Sequence, residues 1–184
     1  KDKNKISTVI VYNKPKGEIV SKKDPQGRRT IYDSLDHKYK HFLSVGRLDY
    51  ASEGLLLLSD SVNIVDALMH SDLERVYKIK VNGVITKPVE EAMQHGLEIE
   101  DATSGAFKTS KIKSMTFSPF LAYDIQTNGE KFSKIKVVIS EGKNRELRRF
   151  FAHFGLDVLD LKRLEYGGIS LNNLPTGKTR YLTK

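Results

Sequence analysis

The alternation of apolar and polar positions changes period several times along the chain, and each period predicts an element. Residues 7–12 (STVIVY) are β-branched and aromatic and predict a strand. The next five, NKPKG (13–17), bring proline and glycine and predict a loop or turn. DPQGRR (24–29) predicts another turn, exposed and basic, after which Thr30 is placed to cap a short helix running to Leu35. Residues 55–59, four leucines and a serine, are too few for a lone helix and predict a buried strand. Ser61 then caps a helix whose apolar face is Val62, Val65, Leu68 and Met69.

RVYKIKV (75–81) alternates strictly, with Tyr77, Ile79 and Val81 on one face and Lys78 and Lys80 on the other. Thr86, followed by Lys-Pro, opens a helix that Gly96 can stop. Strands are expected near 108–116, 122–127 and 134–140. Asn144 is placed to cap a helix with a stripe of Leu147, Phe150, Phe151 and Phe154, ended by Gly155. Further strand is expected around 157–164 and 169–171. Several links are too short for a helical crossover, so the fold class is α+β with a largely antiparallel sheet.

Composition narrows the chemistry. A chain of 184 residues makes one domain or two small lobes. It has no cysteine, which removes disulfides and thiolate chemistry. Five histidines show no metal-ligand spacing, and the phosphate-loop, dinucleotide and nucleophile-elbow motifs are all missing. No apolar run is long enough to span a membrane, and the charged start has no signal-peptide character or initiator methionine, as in a fragment or processed chain. The net charge of +8 is unevenly placed. Residues 1–48 carry 12 Lys and Arg against 5 Asp and Glu, 49–106 carry 4 against 11, and 107–184 carry 15 against 7. Two basic thirds around an acidic middle suit a polyanion such as the phosphate backbone of nucleic acid.

Any catalysis then rests on Asp, Tyr, Lys or Arg. Asp49 sits on a loop leading straight into the tetraleucine strand, where a partly desolvated carboxylate can act as nucleophile or base. On spacing alone the commoner reading is a turn aspartate, or a cap for the backbone around Ser52 and Glu53. On the helix of EGKNRELRRFFAHFG (141–155), Arg145 and Arg149 are expected to point outward, toward solvent or phosphates. Arg148 falls at the border of the apolar stripe, from which a guanidinium can reach a partly buried carboxylate; a solvated basic face is the alternative. Tyr77 reads as a core tyrosine or as an aromatic platform for a base. Lys14 and Lys16 read as phosphate contacts or as an exposed hairpin.

Four ordered segments together resemble the pseudouridine synthases, in particular the ribosomal RNA branch of the RsuA and RluB type. KPKG (14–17) is similar to the family's KPxG loop, GRLDYASEGLLLLSD (46–60) to its GRLDxxTxGLLLLTND, and RVYKIKVNG (75–83) to its tyrosine strand. Residues 141–183 are similar to its GKNRQVRRM segment and the closing KR…G…L…G stretch. The departures are Ser52 and Ser59 for threonines, Glu146 for glutamine and Phe150 for methionine.

The resemblance implies a pseudouridine synthase fold of two lobes with a cleft between, over a single catalytic domain 1–184. The small N-terminal RNA-binding domain usual in this branch is missing from the chain, either trimmed or naturally absent. It implies Asp49 as the catalytic aspartate, Tyr77 as the tyrosine packing on the target base and Arg148 as the basic partner of the aspartate. Lys14, Arg47, Lys143, Arg145, Arg149 and Arg163 are the expected RNA contacts. The implied reaction breaks the N-glycosidic bond of a flipped-out uridine, rotates the uracil and rejoins it through carbon. Attack on the sugar, attack on the base and a glycal route all stay open. No cofactor and no metal is expected, and the protein is expected to be a cytoplasmic monomer with ribosomal RNA as partner. DPQGRRTIYDSL (24–35) looks most like the large-subunit enzymes of the RluB type, which favours 23S over 16S. A non-catalytic RNA-binding assembly factor and a tRNA pseudouridine synthase are the alternatives.

Overall fold

The computed structural model describes residues 6–100, 104–106, 114–143 and 145–182. In chain order the elements are β1 (Val9–Lys14), α1 (Ile31–Ser34), β2 (Leu43–Ser44), β3 (Glu53–Ser59), α2 (Val62–Met69) and β4 (Arg75–Val81). There follow α3 (Lys87–His95), β5 (Leu97–Ile99), β6 (Met115–Phe117), β7 (Ala122–Asn128) and β8 (Ser133–Ile139). The chain closes with α4 (Glu146–His153), β9 (Val158–Tyr166), β10 (Ile169–Ser170) and β11 (Thr179–Tyr181). The α+β class with mostly antiparallel pairing is as expected from the strand-to-strand links. Contacts divide the chain into two compact units.

The first unit takes the described residues up to Asp72, Arg163–Glu165 from β9, and the stretch from Ile169 onward. β1 runs two residues past its β-branched stretch, because β3 offers antiparallel partners from Val9↔Ser59 to Lys14↔Gly54. Asn13 and Lys14 are therefore strand, where a loop was expected. β11 pairs along β1 and β2 along β3, both antiparallel. All four leucines of β3 are fully buried. Leu56 and Leu58 pack with Ile10, Tyr12, Ile31, Leu35, Tyr39 and Phe42 in one core, and each such side chain contributes about 1.5–3 kcal/mol. α1 is capped by Thr30, whose backbone N–H donates to the Asp33 carboxylate at 2.9 Å. In α2, Ser61 accepts from the Ile64 N–H as expected, but the buried stripe is turned. Val65 is buried, with Ile64 and Leu68 half-buried, while Val62 and Met69 are exposed. At 100° per residue these three fall within one face and the other two flank its open side.

The second unit comprises the described part of Leu73–Lys162 with Tyr166–Gly168. β8 lies between β4 and β7, antiparallel to both, and β5 pairs with β6. The alternation in 75–81 holds: Tyr77, Ile79 and Val81 are buried, Lys78 exposed. α3 opens at Thr86 and closes at Gly96 as expected. The core joins these strands to α3 and to Leu147, Phe150 and Phe151 of α4. Phe150 meets Phe117 edge-on at 5.5 Å and Phe120 at 4.9 Å between ring centroids. Most of the strand expected at 108–116 and the Asn144 cap lie outside the described residues.

Candidate active site

In the first unit the Asp49 loop is built from backbone contacts. The Val45 N–H donates to Leu57 O at 2.8 Å, which ties the start of the loop to β3. The Ser52 N–H donates to Asp49 O at 3.0 Å and closes a turn over Tyr50 and Ala51. Lys14 then secures this turn from within. Its Nζ donates to Ser52 O at 2.7 Å, Pro15 O at 3.0 Å and Asp49 O at 3.1 Å. The side chain is fully buried, and burial lowers its ammonium to about 8 against the opposing pull of the Glu18, Asp49 and Glu53 carboxylates. It is still mostly charged at neutral pH, which suits a donor facing three carbonyl dipoles.

Two more contacts complete the frame. Gly54, at φ +110, lies so close to the Arg163 backbone that a Cβ would collide with it. Arg163 is buried and its Nε donates to Leu55 O at 2.8 Å. Leu48 and Ser52 are buried, Asp49 is half-buried, and Arg47 and Tyr50 are exposed. The result is a half-buried carboxylate on a tied turn, with buried Leu48 before it and exposed Tyr50 after it.

Behind the KPKG segment lies a buried network. The Tyr12 hydroxyl donates to Glu18 Oε1 at 2.6 Å, the Ser34 hydroxyl donates to Glu18 Oε2, and Arg29 Nε lies 3.6 Å from Oε2. Burial, then the hydrogen bond to Glu18, pushes the Tyr12 hydroxyl above its usual range. Nearby, Arg28 donates to Asp24 through Nε at 2.8 Å and Nη2 at 3.3 Å, and its own N–H donates at 2.7 Å. The hydrogen bond from Arg28 holds the Asp24 carboxyl down at about 2.

In the second unit Tyr77 is 7% exposed in the middle of β4, opposite Val137 of β8. α4 starts from Arg145, held at φ 47 while its Nε donates to Gly105 O at 2.7 Å. Arg148 is half-buried, as a border position should be. Glu146 is buried. Burial, then the hydrogen bond and charge of Glu141, raises its carboxyl to about 8. Its Oε1 accepts from the Lys143 N–H at 3.1 Å, so its contact to Lys143 includes the backbone amide. Lys143 itself is exposed, with Nζ 3.2 Å from Glu141 and a hydrogen bond to Thr116 O.

Three expected RNA contacts are thus placed inside the protein. Lys14 and Arg149 are fully buried and Arg163 nearly so, which leaves no solvent-facing cation for a phosphate. Lys14 is buried because both faces of β1 are covered, from Ile10 through Lys14. On β9 the side chains alternate, and this puts Arg163 two residues past buried Leu161 on the same face. Arg149 was expected to face outward. It lies inside because α4 is covered beyond its apolar stripe: Glu146 and Arg149 are buried with Leu147, Phe150 and Phe151, and Gly105 packs against the Arg148–Arg149 backbone. Burial, then the charge of Arg145, lowers the Arg149 guanidinium from its usual range. Arg47 and Lys143 are exposed and Arg145 half-buried. The structure brings Lys14, Asp49 and Arg163 together around one loop, whereas Tyr77, Arg145, Arg148 and Arg149 belong to the second unit. Tyr50, Arg28 and Glu18 were not singled out from the sequence.

Residues 8–153 match the family model described as RNA pseudouridylate synthase. The chain belongs to that family. It is 59% identical over 182 residues to a Helicobacter pylori protein named "Uncharacterized RNA pseudouridine synthase", covering 99% of this chain and 70% of that one. It is 34% identical to "Ribosomal large subunit pseudouridine synthase B" of Pseudomonas aeruginosa over 180 residues, covering 95% of this chain and 43% of the relative. The Bacillus subtilis protein of the same name is 34% identical over 172 residues, covering 92% and 66% respectively. Among solved structures, a crystal structure of pseudouridylate synthase superposes with a TM-score of 0.78 at 24% identity, over 97% of this chain and 71% of that one. The fold is that of a pseudouridine synthase, and the protein is an RNA pseudouridine synthase, an isomerase acting on RNA. Among the described residues, no helix is long and apolar enough to cross a membrane.

Proposed function

We propose that the protein isomerises a uridine of ribosomal RNA, in the large subunit, with Asp49 as the nucleophile. The observation that carries this reading is the turn at Asp49. A buried ammonium and two backbone N–H groups hold its main chain, and its carboxylate stays half-exposed. Pre-organisation of this kind keeps a reacting group in position without further ordering during the reaction. Tyr77 supplies the ring that packs on the target uracil, and Arg148 the cation that balances the aspartate. Of the basic residues, Arg47, Lys143 and Arg145 serve as RNA contacts, offsetting the few kcal/mol needed to unstack a uridine. The glycosidic C1′–N1 bond breaks and a C1′–C5 bond forms; C5 loses a proton and N1 gains one. Substrate and product are isomers, so the reaction needs no oxidant or reductant. The 34% identity to two large-subunit synthases supports 23S as the target.

Pseudouridine mapping by carbodiimide primer extension over 23S, 16S and tRNA tests this reading. Cells lacking the gene should lose a 23S site that wild type restores and Asp49→Asn does not. Purified Asp49→Asn should lose turnover by at least about a thousandfold and keep its RNA affinity. A fully active variant would remove Asp49 from the mechanism. A lost site in 16S or tRNA would change the substrate alone.

A further inference from the structure

Tyr50 follows Asp49 directly, yet its ring stands 39% exposed between buried Leu48 and Ser52. Its position is not that of a loose surface side chain. The Gly17 N–H donates to Tyr50 O at 2.7 Å, so the residue is fastened to the KPKG segment. Gly17 has φ +86, and a Cβ there would stand 3.8 Å from the Tyr50 hydroxyl, so the ring lies along this turn. The Arg28 guanidinium lies over the ring, 5.4 Å from its centroid. Arg28 is itself aimed by its two side-chain hydrogen bonds to Asp24.

A ring with a cation over it, beside a reactive carboxylate, has the chemistry of a nucleobase platform even in the acidic middle of the chain, because Arg28 comes from the basic first third. Every base offers a π-face, and stacking works only on unpaired RNA. Tyr50 directly follows Asp49 on the turn closed by the Ser52 N–H, so a nucleotide held on its ring lies beside the one that reaches Asp49.

We propose that Tyr50, with Arg28 over its ring, is the platform on which the base next to the target uridine stacks. The proposal rests on the reading of Asp49 as the reacting carboxylate. It makes Tyr50 a positioning residue that holds the RNA strand in register for the flipped uridine.

The chain contains no tryptophan, so Tyr50→Trp creates a single fluorescent reporter at the proposed platform. In Asp49→Asn protein, which holds RNA without turning it over, an oligouridylate of about ten nucleotides should quench this indole. Tyr181→Trp is the control: Tyr181 is 53% exposed and also has a cation over its ring, Lys38 at 5.7 Å, but it stands on β11. Quenching at position 50 without quenching at 181 supports the proposal. Equal quenching at both, or none at 50, overturns it. With a 23S rRNA transcript, Tyr50→Ala should raise KM about tenfold and leave kcat within about threefold, while Tyr50→Phe stays near wild type. Tyr50→Ala kinetics equal to those of Tyr50→Phe would also overturn it. Failure of the Asp49 reading is read separately, as full turnover by Asp49→Asn.

Discussion

The two units secure their functional segments with opposite charges. In the first, one buried cation, Lys14, faces three carbonyl oxygens, and carboxylates around it oppose its burial cost without cancelling it. In the second, a buried carboxyl, Glu146, lies against another, Glu141, at the start of α4. A lysine among carbonyls keeps its proton near neutral pH and needs it for every contact. Two neighbouring carboxyls cannot both ionise cheaply, so one keeps a proton. Both groups stand at about 8 in the fold but reach it from opposite sides: burial lowers the lysine and raises the glutamate, so rising pH favours the fold through Lys14 and disfavours it through Glu146.

Removing the lysine should have the largest effect on stability. Lys14→Met retains much of the volume and deletes the donor, leaving inward carbonyls unsatisfied. We expect a loss of about 2–4 kcal/mol in urea unfolding, with turnover falling at least tenfold as the Asp49 turn loosens. Unchanged stability would mean that the turn holds itself. The second-largest effect should come from Glu146→Gln. The folded-state value of Glu146, about 8, lies above its ordinary 4.5, so the fold binds this proton more tightly than the unfolded chain does. Its contribution is complete below about 4.5 and is lost as pH rises through about 8. Glu141 runs the other way. Burial raises its carboxyl, but hydrogen bonds from Glu146, Lys143 and Ser118 outweigh that and leave it lowered, so its contribution is lost in acid. Glu146 should thus cost wild type about 2–3 kcal/mol between pH 6 and pH 9, while the lowered ammonium of Lys14 works in the opposite direction over the same range. Unfolding at both pH values should show the Glu146 loss removed in the variant, and equal slopes would break the contrast between the units. The smallest effect belongs to the turned face of α2: Met69→Gln should change stability by less than about 0.5 kcal/mol in thermal melts, because Met69 faces solvent.

Much of the fold was legible because the periods were clean. The alternation of 75–81, the leucine run, the Thr86 and Ser61 caps and the stop at Gly96 all follow from local chemistry. What failed locally was decided at long range. Asn13 and Lys14 are strand because Leu55 and Gly54 lie opposite them. α2 turned its stripe because a helix of 8 residues has little to fix its phase except what it packs on. The motif at Asp49 was visible, whereas the inward course of Lys14, Arg149 and Arg163 was not, because a basic residue in a basic protein reads as surface. Period-two counting from Leu161 would have recovered Arg163, whereas Lys14 lies on a strand buried on both faces. Tyr50 carried no local signal at all, since only the fold brings Arg28 over its ring.

The first unit draws on residues from far apart in the chain. The Asn13 amide donates to Leu174 O across 161 residues, the Gly177 N–H donates to Asn13 O, and β11 borders the same strand as the tetraleucine run. The second unit is almost one continuous stretch. During synthesis the later-starting unit can therefore finish first, while the Asp49 turn waits for a strand that leaves the ribosome much later. The tied turn at Asp49 is then among the last parts of the molecule to mature, and a nascent chain paused before β11 would carry the aspartate without its finished setting.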